Sequence, residues 1–95
     1  MEVITFVKGN IPPSKREEFE LSYEVLKKNK KPDGLIASYL LEDNKEEGLY
    51  LIETVWASQE ALDKMRSEGK PAAIELFNKV GVEPTLKVYN MKNNI

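Results

Sequence analysis

Apolar positions along this chain fall into four short blocks rich in β-branched and aromatic residues, and between the blocks they recur every three or four positions. The first block, EVITFVK (2–8), reads as a strand that ends at Gly9-Asn10. IPPS stops it, and Ser14 with Glu17 three positions on has the form of a capping box, predicting a helix to about Asn29. In that helix Phe19, Tyr23 and Leu26 share one side, and Leu21 and Val25 widen the stripe. KPDG (31–34) ends it with a proline and a glycine. Two more strands follow, LIASYLLED (35–43) and LYLIETVWA (49–57), joined by NKEEG, a short polar connection suited to an antiparallel hairpin. Ser58 is placed to cap a second helix in which Ala61, Leu62 and Met65 share one side. Gly69 interrupts that helix, and Pro71 suits the first turn of a further piece carrying Ala73, Ile74 and Phe77. After GVEP, TLKVYNMK (85–92) is the last strand.

The order is β-α-β-β-α-β with the second helix broken, which predicts an α+β, ferredoxin-like fold. Its sheet would be four-stranded and antiparallel, with the helices on one face. Residues 1–95 then make a single domain, without internal repeat or linker.

Side chains alternate between the two faces of a strand, so each strand divides by parity. One division places Ile4 and Phe6 under the helices with Ile36, Leu40, Ile52, Trp56, Leu86 and Val88. The opposite face then holds Val3, Thr5 and Val7, with Ala37, Tyr39, Leu41, Leu49, Leu51, Val55, Tyr89 and Met91. That second set is too apolar for a sheet face left in water. A second copy packed sheet to sheet would cover it, so a homodimer is expected. Glu53 and Lys87 are the charges on that face, expected to pair or to sit at its margin.

Composition narrows the chemistry. The chain has neither cysteine nor histidine, which removes thiol nucleophiles, thiolate metal sites and the commonest general base and metal ligand. No metal site and no cofactor are expected. Fourteen basic against 16 acidic residues leave a net charge of −2, without the basic excess of a nucleic-acid binder. KKNKK (27–31) is the one basic run; it lacks interleaved aromatics and reads as a soluble helix end favoured by the helix dipole. The acidic EDNKEE (42–47) reads as a solvated turn. No stretch approaches the roughly 18 consecutive apolar residues of a membrane span. The first residues lack the pattern of a secretory signal, so a cytoplasmic location is the default expectation.

Four segments together resemble the antibiotic biosynthesis monooxygenase family of dimeric α/β-barrel proteins. ITFVKGNIPPSKREEFE resembles its first strand, loop and acidic helix, and PDGLIASYLLED its loop-Gly-strand segment. LYLIETVWASQEALDKMRSEG resembles its most recognisable stretch, an aliphatic strand with Glu and Trp followed by Ser and an Ala-Leu helix, and PTLKVYNM resembles the closing strand. The resemblance implies a ferredoxin-like protomer, a dimer of sheets, and a pocket between sheet and helices. It also implies oxidation of phenolic molecules without metal or flavin, or haem breakdown, as the activities to consider. Haem-degrading members use a histidine after the second helix, an Asn on the first strand and a second Trp on the helix. Here those strand and helix positions fall near Phe6 and at Met65, and the chain has no histidine, so haem degradation by that route is not expected.

The candidate residues follow. Phe6, Ser38, Ile52, Thr54, Trp56, Met65 and Phe77 are candidates to line a small-molecule pocket. Trp56, the single tryptophan, is either core or the wall of such a pocket, and Ser38 and Thr54 are its polar groups. Val3, Thr5, Tyr39, Leu51, Glu53, Val55 and Tyr89 are candidates for the dimer interface. No catalytic residue is singled out. The expected function is cofactor-independent, monooxygenase-like chemistry on a small aromatic or apolar molecule. The alternative is a non-catalytic dimeric binding or interaction module on the same scaffold.

Overall fold

Four antiparallel strands form one sheet in the computed structural model, which describes residues 1–95. They are β1 (Val3–Asn10), β2 (Leu35–Glu42), β3 (Leu49–Trp56) and β4 (Thr85–Asn90), in the spatial order β2-β3-β1-β4. Three helices complete the fold: α1 (Arg16–Lys27), α2 (Gln59–Ser67) and α3 (Ala72–Lys79). The architecture is α+β and ferredoxin-like. Strand boundaries fall within two residues of those the sequence predicts.

Helix starts divide. Ser58 caps α2 as expected, its Oγ accepting from the Ala61 N–H at 3.1 Å. The Ser14–Glu17 box does not form. The prolines at 12 and 13 lead instead into a 3₁₀ turn at Pro13–Lys15, so α1 begins two residues beyond Ser14 without a side-chain cap. The apolar stripe of α1 is also narrower than expected: Phe19 and Tyr23 are buried, whereas Leu21 and Val25 are 58% and 62% exposed.

Register decides which strand face meets the helices. Val3 lies opposite Trp56, Thr5 opposite Thr54 and Val7 opposite Ile52. Residues directly opposed share a face, and all six are buried. Val3 and Thr5 therefore face the helices, and Ile4 and Phe6 face away from them, which reverses the expected parity of this strand. β1 is apolar or β-branched at every position from 3 to 7, so hydrophobicity along it cannot choose a face. Space under the helices does. At Gly9, on the helix face, an added Cβ would stand 2.9 Å from Val82 and 3.0 Å from the Phe77 ring. Slim side chains along β1 let α3 come that close.

The other strands keep the expected parity with one local exception. Ser38 and Leu40 lie opposite Thr54 and Ile52 on the helix face, but a bulge between Leu35 and Ala37 turns Ile36 out, 52% exposed. On β4, Leu86 and Val88 lie opposite Val7 and Thr5, at a half-open edge of the helix layer.

Two clusters make the core. The larger joins Val7, Ile11, Tyr50 and Ile52 to Phe19, Leu76 and Phe77, with the Phe19 and Phe77 rings 4.6 Å apart. The smaller is Val3, Trp56 and Leu62, with Met65 packed against it. The outer face of the sheet is also apolar: Ile4, Phe6, Leu51 and Val55 are half-buried, and Tyr39 and Tyr89 are exposed. Phe6 meets Tyr89 edge to face at 5.7 Å. Glu53 and Lys87 flank Phe6 on the neighbouring strands.

At the end of the sheet near α1, Tyr50 donates its hydroxyl to the Glu20 carboxylate. Burial, then this bond and the charges of Glu20 and Glu42, raise the Tyr50 phenol well above its ordinary value near 10, against a smaller opposing effect of Arg16. The fold thus prefers neutral Tyr50, and its contribution is complete below pH 10. It is lost as the pH climbs from there toward the raised folded value, because the unfolded chain ionises first. Urea midpoints measured between about pH 9 and 11.5 are expected to fall more steeply for the native chain than for Tyr50→Phe. The difference in slope is at most about 1.4 kcal/mol per pH unit for one such group.

Candidate functional site

The gap between the two core clusters is a cavity of about 430 Å³. Its cause lies in one row of the sheet. Ser38, Thr54 and Thr5 stand side by side on β2, β3 and β1 on the helix face, with large residues in the rows before and after. Three short side chains in register leave room that the helices above do not fill. Tyr23 and Leu26 of α1, Leu62 and Met65 of α2, and Ala73 and Ile74 of α3 form the roof. Ile52 and Trp56 bound the floor on either side of the hydroxyl row.

The polar groups of the floor are linked. The Tyr23 hydroxyl donates to Ser38 Oγ at 3.0 Å, and Thr54 Oγ1 donates to the same oxygen at a longer 3.4 Å. Ser38 Oγ is thus the point at which the hydroxyls of α1 and β3 meet on the cavity floor. Trp56 Nε1 donates to Thr5 Oγ1 at 3.3 Å, so the indole is held with its ring as cavity wall and its N–H satisfied. No buried side-chain nitrogen or oxygen lacks a partner. No group of three or more acidic, histidine or cysteine side chains converges as a metal site would require.

Around the opening stand cations. Lys27, at the end of α1, and Lys30 and Lys31, just after it, line the cavity, as does Arg66 in the last turn of α2. No aspartate or glutamate lines it.

The structure therefore gathers Ser38, Ile52, Thr54, Trp56 and Met65 around one cavity. Phe6 and Phe77 are not part of it. Phe6 sits on the outer face because of the β1 register, and Phe77 is fully buried against Phe19 in the larger core cluster. Thr5, expected at a dimer interface, belongs to the cavity floor, and Val3 to the small core cluster beside Trp56. Tyr39, Leu51, Glu53, Val55 and Tyr89 do lie on the outer face. Sequence reasoning passed over the Tyr23 hydroxyl, which reads as one more apolar stripe position, and the basic rim, which reads as a solvated helix end. The signal for both is spatial: helix α1 ends over the hydroxyl row.

A family model described as antibiotic biosynthesis monooxygenase matches residues 2–73. The chain belongs to the antibiotic biosynthesis monooxygenase family. Solved structures of similar proteins agree on the fold. A conserved protein from Methanosarcina mazei Go1 superposes with a TM-score of 0.76 at 17% identity, covering 97% of this chain and 94% of that one. SnoaB, a cofactor-independent oxygenase from Streptomyces nogalater, gives 0.73 at 13% identity over 99% and 96% of the two chains. MhuD, a heme-degrader from Mycobacterium tuberculosis solved with two hemes in its active site, gives 0.74 at 21% identity over 98% of each. No curated protein matches the sequence. No helix is long and apolar enough to cross a membrane. Within this member of the antibiotic biosynthesis monooxygenase family, the titratable side chains lining the cavity are Tyr23, the three lysines and Arg66.

Thr5→Val is nearly isosteric but removes the acceptor for the buried Trp56 N–H. The expected cost is about 1–3 kcal/mol of stability, read from the urea midpoint followed by tryptophan emission. An unchanged midpoint would mean that the 3.3 Å contact contributes nothing.

Proposed function

We propose that this protein binds a small, mostly apolar or aromatic molecule in the cavity beneath its helices and oxidises it with dioxygen, without metal or flavin. The observation that carries the binding reading is the cavity itself. At about 430 Å³ it lies within the usual range of small-molecule sites, roughly 300–1,000 Å³, and hydrocarbon walls surround a few convergent hydroxyls. Family membership and the likeness to a cofactor-independent oxygenase support the oxidative reading. Dioxygen would take its electrons from the substrate itself, an electron-rich phenol or quinol that gives its proton to solvent, with one oxygen atom ending in the oxidised product and the other in water. The protein would then contribute orientation and exclusion of water. Ser38 would donate to a substrate oxygen, and the Trp56 ring would stack on the substrate's flat face.

A non-catalytic binding module is the second reading. It is favoured by one specific feature, the lack of any side chain in the cavity suited to act as a general base near neutral pH.

Titration with naphthoquinols and polyphenols, following Trp56 emission and oxygen uptake together, separates the two. Saturable quenching accompanied by oxygen consumption is the expected result. Quenching alone leaves the binding module. Thr54→Leu, which fills the floor, is expected to abolish both signals while the protein stays folded.

The same proposal includes a two-fold dimer formed through the outer sheet face, where Phe6, Tyr39, Leu51, Val55 and Tyr89 supply apolar surface. Ile4 and Phe6 take the place there of Val3 and Thr5. Val55→Glu sets a charge among apolar neighbours on that face, between Ile4 and Ala37, and is expected to shift the protein from dimer to monomer in sedimentation experiments. A monomeric native protein would refute the dimer.

A further inference from the structure

The rim of the cavity has one sign of charge, although the chain as a whole is slightly acidic. Lys27, Lys30, Lys31 and Arg66 line the cavity and none of the 16 acidic residues does. Cations at helix C-termini are favourable in themselves, which explains each of them singly. It does not explain why two helix ends, those of α1 and α2, deliver them to the same cavity with no carboxylate in its lining.

The partners of these groups sort them further. Lys27 is shared with Glu24 at 3.5 Å, and Lys31 folds back on the Lys27 and Asn29 carbonyls. Lys30 and Arg66 have neither an ion-pair nor a hydrogen-bond partner. Arg66 is half-buried and brings a planar, multi-donor head to the lining of an apolar chamber. A shallow groove of about 350 Å³ continues outward from the same edge and adds Lys64 and Lys70. Its acids are Asp33, already paired with Lys64 at 3.5 Å, and Glu68, which lines the outer groove and not the cavity.

From this geometry we infer that the natural ligand is an amphipathic anion: a flat apolar body held against Trp56, with a carboxylate, sulfonate or similar anionic group at the opening, received by Arg66 and Lys30. The inference rests on the binding reading above and adds the charge of the ligand and the residues that select for it. Arg66 supplies directed donors for a planar or tetrahedral oxyanion, and Lys30 a mobile point charge. The hydroxyl row deeper in the cavity is left for the oxygen atoms of the aromatic body. An uncharged molecule of the same shape would fill the chamber and leave both cations unanswered.

Two dyes that share one aromatic body test this: 1-anilinonaphthalene-8-sulfonate, and uncharged N-phenyl-1-naphthylamine. Each is titrated into the folded dimer or monomer as it occurs, by dye emission and by energy transfer from Trp56. The sulfonate is expected to bind about tenfold more tightly than the neutral dye, although the neutral dye is the more apolar of the two. The preference is expected to shrink at high salt. Lys30→Gln with Arg66→Gln is expected to weaken sulfonate binding about tenfold and leave the neutral dye unchanged. Arg66→Lys alone, which keeps the charge and loses the fork of donors, should weaken sulfonate binding by less than the double variant and leave the neutral dye unchanged. Lys79→Gln, which removes one charge away from the cavity, should change neither. Neutral-dye binding equal to or tighter than sulfonate binding, unaffected by the double variant, overturns the inference and leaves the cavity reading intact. An equal effect of Lys79→Gln overturns it too, since net charge alone would then account for the preference. Binding of neither dye overturns both readings.

Discussion

Everything distinctive about this protein depends on how β1 pairs with β3. The antiparallel register sets Thr5 against Thr54, and the β2–β3 register sets Ser38 beside them. Three short hydroxylated side chains then lie in one row beneath the helices, where neighbouring rows carry Ile52 and Trp56. A protein interior is normally packed to the density of an organic crystal. Here that density is interrupted along a single row, and the core divides into a large cluster around Phe19 and Phe77 and a small one around Trp56. A slip of one residue in β1 would exchange Val3, Thr5 and Val7 for Ile4 and Phe6 and fill the space.

The same register answers the question that the lone tryptophan raises. Trp56 belongs both to the core and to the cavity wall. It packs with Val3 and Leu62, its N–H is satisfied by Thr5, and it also lines the chamber. The hydroxyl of Tyr23 plays a similar double part from the roof, tying α1 to Ser38 and lining the chamber. The polar atoms that line the cavity floor are thus also ones that pin the helix layer to the sheet. Trp56, Thr5, Tyr23 and Ser38 serve both the packing of the fold and the lining of the cavity.

Electrostatics adds a second layer that the neutral floor lacks. Acidic residues outnumber basic ones over the whole chain, yet the opening collects lysines and an arginine because α1 and α2 both end there. Away from the cavity, charges have ordinary structural partners. Asp43 accepts from the Lys45 and Glu46 backbone N–H groups, which lower its pKa and close the β2–β3 turn. Arg16 bonds the Ile11 carbonyl and meets Glu47. Lys30 and Arg66 are left without such duties.

Local pattern was enough for the element order, the ferredoxin-like class, the Ser58 cap and the face assignment of β3. Each of these depends on neighbours within a few residues, and β3 announces its faces by setting Ile52, Thr54 and Trp56 against Glu53. Tertiary structure decided the rest. β1 has no charged or strongly polar residue between Val3 and Val7 to mark an outer face, so only pairing with β3 and the close passage of α3 over Gly9 could orient it. The Ser14 box yielded to a 3₁₀ turn set by two prolines, and Phe77 went to the core because α3 aims it at Phe19. The cavity and its basic rim have no local signal at all. They exist because residues distant in sequence, each unremarkable alone, are brought into one row and around one opening.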